Sequence, residues 1–154
     1  MTGTYRIVVG VDGSAGGRRA LRWAVAEAAA RGGAVQAIMT WTWDDETPPR
    51  PSTPAEEERR LTEEILQREL DSVALPAGVV VAAEVVQGHA PLVLATAARD
   101  ADLLVLGSHG HGRRHHSILG SVAESCVRNA VCPVVVIPVP REVPAAGTEP
   151  AVPV

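Results

Sequence analysis

Apolar residues in this chain fall into short, nearly continuous runs, separated by stretches in which they recur at helical spacing. The runs are Tyr5 to Val11, Val35 to Trp41, Val79 to Val86, Asp102 to Leu106 and Pro133 to Ile137. Continuous apolar character of this length fits strands covered on both faces. Between the first two runs, Leu21, Ala24, Val25 and Ala28 mark one face of a helix. Asp12-Gly13-Ser14 is a turn and cap that opens it, and Arg31-Gly32-Gly33 is a stop signal. Thr53-Pro54-Ala55-Glu56 predicts the next helix start, with threonine as cap, proline first and glutamate third. Leu61, Ile65, Leu66, Leu70 and Val73 would form its buried stripe and the Glu/Arg run its wet face, until Pro76-Ala77-Gly78 breaks it. Pro91 opens a third helix reaching about Arg99, and a fourth runs from Ser121 to about Ala130.

Strands alternating with helices predict an α/β fold: a single-domain, open, parallel five-stranded sheet with helices on both faces, Rossmann-like in architecture. Right-handed crossovers restrict the strand orders, and ligands in such sheets sit beyond the carboxyl ends of the strands where the order reverses. Two polar features occupy such ends. Asp12 follows the first strand, and a loop running from Gly107 through Gly110 and Gly112 to Gly120-Ser121 follows the fourth. They converge if these two strands are neighbours, as an order of 3-2-1-4-5 would make them.

A glycine-rich loop between a buried strand and a helix start is suited to phosphate. Glycine lets backbone N–H groups approach an anion, and the helix end adds unpaired donors and partial positive charge. Ser121 can cap that helix or bond a phosphate oxygen. Asp12 can bond a ribose hydroxyl or the adenine edge; the plainer alternative is an Asx-turn at a helix N-terminus. Gly13, Gly16 and Gly17 do not form G-x-G-x-x-G, and no Walker A loop is present, which disfavours a dinucleotide site and a P-loop NTPase. His109, His111, His115 and His116 read as solvated histidines rather than a zinc site, since no cysteine or carboxylate joins them. Arg113 and Arg114 can clamp a terminal phosphate or stand as exposed charges. Trp41 and Trp43 can wall a base pocket or pack at an edge. No Ser-His-Asp order or paired carboxylates point to hydrolysis.

Composition narrows this further. The chain has 154 residues and a formal net charge of -4, which argues against nucleic-acid and anionic-membrane partners. No apolar run reaches the roughly 18 residues of a membrane span. The N-terminus leads straight into the first strand without a signal-peptide pattern, so a cytoplasmic protein is expected. Lysine is absent, which removes a lysine nucleophile or Schiff base. Cys126 and Cys132 lack metal spacing and read as free thiols. The Pro/Ala-rich segment 139–154 is expected to be a disordered tail after a domain of residues 1–138.

The residues now resemble a known family, the UspA-like universal stress proteins. Gly107-x2-Gly110-x9-Gly120-Ser121 matches the signature of the family's ATP-binding branch in spacing. Val9-Gly-Val-Asp12-Gly-Ser14, Ala20-Leu-Arg-Trp23-Ala with Glu27-Ala, and Cys132-Pro-Val-Val-Val-Ile137 are similar to its first strand, first helix and last strand. The likeness covers about residues 4 to 138. It implies the 3-2-1-4-5 order, a homodimer, and ATP, with or without Mg²⁺, held without obvious catalytic apparatus; in that order the fifth strand is an uncharged apolar edge, so the dimer is expected to pair through it. By that resemblance Asp12 would hold the ribose or adenine, and the main chain near Thr40 would meet the adenine. Leu106 and Gly107 would flank the ribose, and Gly110, Gly120, Ser121 and Val122 would bind the phosphates. Met39-Thr40 departs from the His-Ala or His-Val often found at the second strand's end, and the histidines between 111 and 116 are unusually many. The implied function is an ATP-binding regulatory stress-response protein. A slow ATPase or phosphotransferase, and a nucleotide-free interaction module, are the alternatives.

Overall fold

The computed structural model describes residues 3–42, 54–111 and 118–140. Five strands, β1 (Arg6–Gly10), β2 (Ala34–Trp41), β3 (Val80–Gln87), β4 (Leu103–Gly107) and β5 (Val134–Ile137), alternate with four helices. These are α1 (Ala15–Arg31), α2 (Ala55–Asp71), α3 (Ala90–Ala97) and α4 (Ser121–Asn129), with a short 3₁₀ turn at Ala98–Asp100. All pairings are parallel and the order is β3-β2-β1-β4-β5. The sheet predicted from the alternating pattern is therefore the one formed.

Alternate residues of the central strands bury into two layers. Ile7, Val9, Val35, Ala37 and Val105 join Leu21, Ala24, Val25 and Ala28 of α1 and Leu66 of α2 on one face. Val8, Ile38, Leu104 and Leu106 pack with Leu94 of α3 and Cys126 of α4 on the other. Strands β1 and β4 are thus apolar on both sides, which is why their sequences read as runs rather than alternations.

The helix ends follow local chemistry. Ser14 caps α1, its Oγ accepting the Gly17 N–H at 3.1 Å. Gly32 ends that helix at φ 64°, a left-handed conformation that glycine adopts without steric cost. Two expectations for α2 need correction. Pro54 is the residue at its cap and makes no side-chain cap bond, so the helix begins one residue later than the Thr53-Pro54 motif suggested. Proline has no N–H to lose at that position, so the shift removes no bond. Leu61 is 39% exposed, while Thr62 and Glu69 are buried in its place. Glu69 goes inward because Arg18 of α1 meets it with a two-pronged ion pair at 2.8 and 3.0 Å. A charge leaves water at tolerable free energy only when so paired.

Candidate functional site

The order reverses between β1 and β4, and the chain bends away from the sheet at the carboxyl ends of both. A crevice of about 340 Å³ opens there. Asp12, Thr40, Leu106, Gly107, Gly110, Gly120, Ser121 and Val122, the eight residues singled out in the sequence, all line it. Trp41 closes β2 but does not line the crevice; Trp43, Gly112, Arg113, Arg114, His115, His116 and the 141–154 part of the tail lie outside the described residues.

At Asp12 the structure shows the Asx-turn, the plainer of the two readings. Its Oδ1 accepts the Ser14 N–H at 2.9 Å and also the Ser14 hydroxyl, which is the Asx-turn that starts α1. Its Oδ2 lies beside Gly110, where a Cβ would collide with it. One oxygen builds the turn and the second faces the crevice.

The glycines differ in what requires them. At Gly107 a Cβ would meet the backbone of Gly16 at 2.8 Å, and at Gly16 one would meet the His109 carbonyl. These two let the end of β4 lie directly on the first turn of α1. Gly120 holds the loop at its base. Its N–H donates to the Ser108 carbonyl at 2.6 Å, and a Cβ there would approach that same oxygen to 3.1 Å. The Gly120 amide is thus committed inside the protein.

Beyond Gly120 come the first N–H groups of α4. Gly120 is the cap residue of α4 and supplies no side-chain bond, so Ser121 is the first helical residue rather than the cap. Ser121, Val122 and Ala123 all line the crevice. The first N–H groups of any helix lack intrahelical acceptors, and the helix dipole leaves partial positive charge around them. By contrast, Ser14 takes one such donor at the start of α1.

The lining also includes apolar Val11, Ile38, Met39, Ala90 and Leu94, with Thr40 at the end of β2. Sequence reasoning missed Ala90 and Leu94, which come from α3. Leu94 reads as core, and it is core, packed with Ile38 and Leu106. The signal available was Gly88-His89-Ala90-Pro91, a turn and helix start that had to fall near a carboxyl end of the sheet. His111 stands at the rim, its Nε2 hydrogen-bonded to the Asp12 carbonyl at 2.6 Å. Among the described residues no cluster of metal-ligating side chains forms. Cys126 and Cys132 are free thiols away from the crevice, and burial pushes both up from the usual thiol range.

A parallel sheet with a crevice at its reversal point, lined by apolar side chains and by the first residues of α4, defines an α/β protein of the doubly wound class. The family model for the universal stress protein family matches residues 4–138, and the chain belongs to that family. A universal stress protein of Mycobacterium tuberculosis is 37% identical over 134 residues, covering 85% of this chain and 47% of that protein. This chain spans about half the length of the curated relatives it matches. Universal stress protein UspA from Lactobacillus plantarum superposes with a TM-score of 0.72 at 23% identity, over 89% of this chain and 99% of that one. A universal stress protein solved in complex with cAMP gives 0.66, also at 23% identity, over 88% and 98%. At that identity these two likenesses show the fold alone. No described helix is long and apolar enough to cross a membrane.

Proposed function

We propose that the crevice binds an adenine nucleotide, ATP with or without Mg²⁺, and that the protein acts as a nucleotide-responsive regulator. The observation that carries this is one cleft lined both by apolar side chains and by the first residues of α4. The apolar side chains of Val11, Ile38, Met39 and Leu94 suit a base, with the main chain near Thr40 in position to meet its edge. The start of α4, at Ser121 and Val122, suits phosphates. Asp12 lines the same cleft; a ribose hydroxyl would donate to its Oδ2, and Leu106 and Gly107 would flank the sugar. Gly110 and Gly120 shape the phosphate end by their lack of side chains. The family relative solved with cAMP supports the same ligand class.

The nucleotide is retained rather than turned over. Asp12 is the single carboxylate lining the crevice among the described residues, and half of it is occupied by Ser14. Phosphoryl transfer needs a group to orient the attacking oxygen and cations to neutralise charge. Hydrolysis slower than the ~1 s⁻¹ lower end of ordinary enzymes is expected in single-turnover assays; a faster rate would favour an ATPase. In the proposed working form, two copies pair through β5 in the cytoplasm.

The direct test is mass spectrometry of gently purified protein for co-purifying nucleotide, followed by titration calorimetry with ATP. Micromolar or weaker binding is expected. Absence of binding by either method would overturn the reading.

A further inference from the structure

Arg19, in the second turn of α1, is half-buried, and its Nε is buried without a hydrogen-bond partner. Its neighbours on the helix are provided for: Arg18 pairs with Glu69, and Arg31 pairs with Glu27. No carboxylate of the described residues pairs with Arg19. A buried donor on a charged group costs free energy for as long as it stays unpaired.

The surroundings indicate where an acceptor would come from. Arg18 marks the flank of α1 that meets α2, and Arg19 and Trp23, one turn apart, lie on the other flank. Trp23 and the β5 residues Val135 and Ile137 pack against one core layer, and all three stay half-buried. They form a shelf between the helix and the last strand. Arg19 stands at its end: its Nη2 lies 3.7 Å from where a Cβ on Gly16 would be, and Gly16 touches Gly107, the sheet partner of Ile137.

Other acids are engaged or distant. Asp12 is held by Ser14, Asp102 by the Arg6 amide and Glu124 by Arg128. Residues 112–117 contain no acid, and Asp44, Asp45 and Glu46 follow β2, which lies beyond β1 from this flank. The chain itself leaves from this corner. Residues 141–154 follow β5 and carry Glu142 and Glu149.

We propose that segment 141–154 docks along this shelf, in place of the disorder expected from its composition. Arg19 takes one of its glutamates, and Trp23, Val135 and Ile137 take its valines. Reach permits this. Glu142 is five residues past Ile137, up to about 17 Å of extended chain, and adjacent strands stand only about 4.8 Å apart. Pro144, Pro150 and Pro153 restrict the segment before it docks, which lowers the entropy lost. A segment on this face leaves the edge of β5 free, and the proposal does not depend on the nucleotide reading.

Trypsin supplies the test, because cutting after Arg141 releases residues 142–154. Initial release of that peptide from native full-length protein is followed by mass spectrometry. Each rate is divided by that of a synthetic peptide of matching sequence spanning 138–154, so that changes next to the cleaved bond cancel. Cleavage of a segment that frees itself transiently tracks the undocked population. Arg19→Gln should raise the ratio about tenfold, the scale of one hydrogen bond to a charged group, and so should Glu142→Gln combined with Glu149→Gln. Arg22→Gln, at an exposed arginine of the same helix, should leave it unchanged. The glutamate variant alters no residue of the folded core, so it decides the matter even if Arg19→Gln folds poorly. An unchanged ratio in that variant would overturn the proposal, as would wild-type release as fast as from the free peptide. Protection that grows with protein concentration would also overturn it, because the acid would then come from a second copy.

Discussion

At the residue scale, the glycines around the crevice separate into two groups by what a methyl would strike. At Gly107 the obstacle is the backbone of Gly16, which cannot rotate away, whereas at Gly110 it is the far end of the Asp12 side chain, which can. Gly107→Ala should therefore destabilise the fold by roughly 1–3 kcal/mol, the usual range for overpacking, and lower the melting temperature. Gly110→Ala should leave melting nearly unchanged while displacing Asp12 Oδ2 and weakening ATP binding. Thermal melts and calorimetry on the same preparations check both; a Gly110 variant that melts early and binds normally would reverse the assignment. Sequence spacing placed these glycines around one loop but could not tell packing glycines from ligand-facing ones. The distinction depends on α1, whose Gly16 lies some ninety positions earlier in the chain. For the same reason the bond from the Gly120 amide to the Ser108 carbonyl could not be foreseen. A bond between two loop residues leaves no trace in a periodicity.

At the element scale, strands were easier to read than helix faces. β1 and β4 are covered on both sides, so their apolar residues read as runs, whereas the order of the strands in the sheet was implied by the family resemblance and not by the alternation with helices. Helix α2 was harder because its inner face contains Thr62 and Glu69. Thr62 turns its hydroxyl back onto the Glu58 carbonyl at 2.8 Å, and Glu69 depends on Arg18. The Glu69 pairing holds the Arg18 guanidinium above its ordinary range, first through the side-chain hydrogen bond and then through charge. Glu69→Ala should leave Arg18 without its partner and lower the melting temperature, with ATP affinity unchanged, since neither residue lines the crevice. In α4, burial lifts the Cys126 thiol above its usual range, so little thiolate forms near neutral pH. Iodoacetamide at pH 7.5 should leave Cys126 unmodified in the native protein and label it after denaturation, read by peptide mass spectrometry. Fast native labelling would contradict its placement in the core.

At the scale of the whole molecule, two sheet edges remain, and they differ. β3 carries Glu84 and Gln87, whereas β5 is Val134-Val135-Val136-Ile137, apolar and half-buried throughout. Val127 and Val131 lie exposed just before it, Val131 at 75%. An uncharged edge flanked by exposed valines invites pairing with another chain. A dimer through β5 is expected in sedimentation at micromolar concentration, and Val136→Lys should shift it toward monomer; a wild-type monomer would contradict that arrangement. The central claim concerns the crevice, and calorimetric titration of ATP into wild type and Gly110→Val tests it most directly. The account predicts saturable one-site binding to wild type and at least about a tenfold loss, on the order of 1.4 kcal/mol, in a variant that melts within a few degrees of it. Equal affinity in both proteins, or none in wild type, would contradict it.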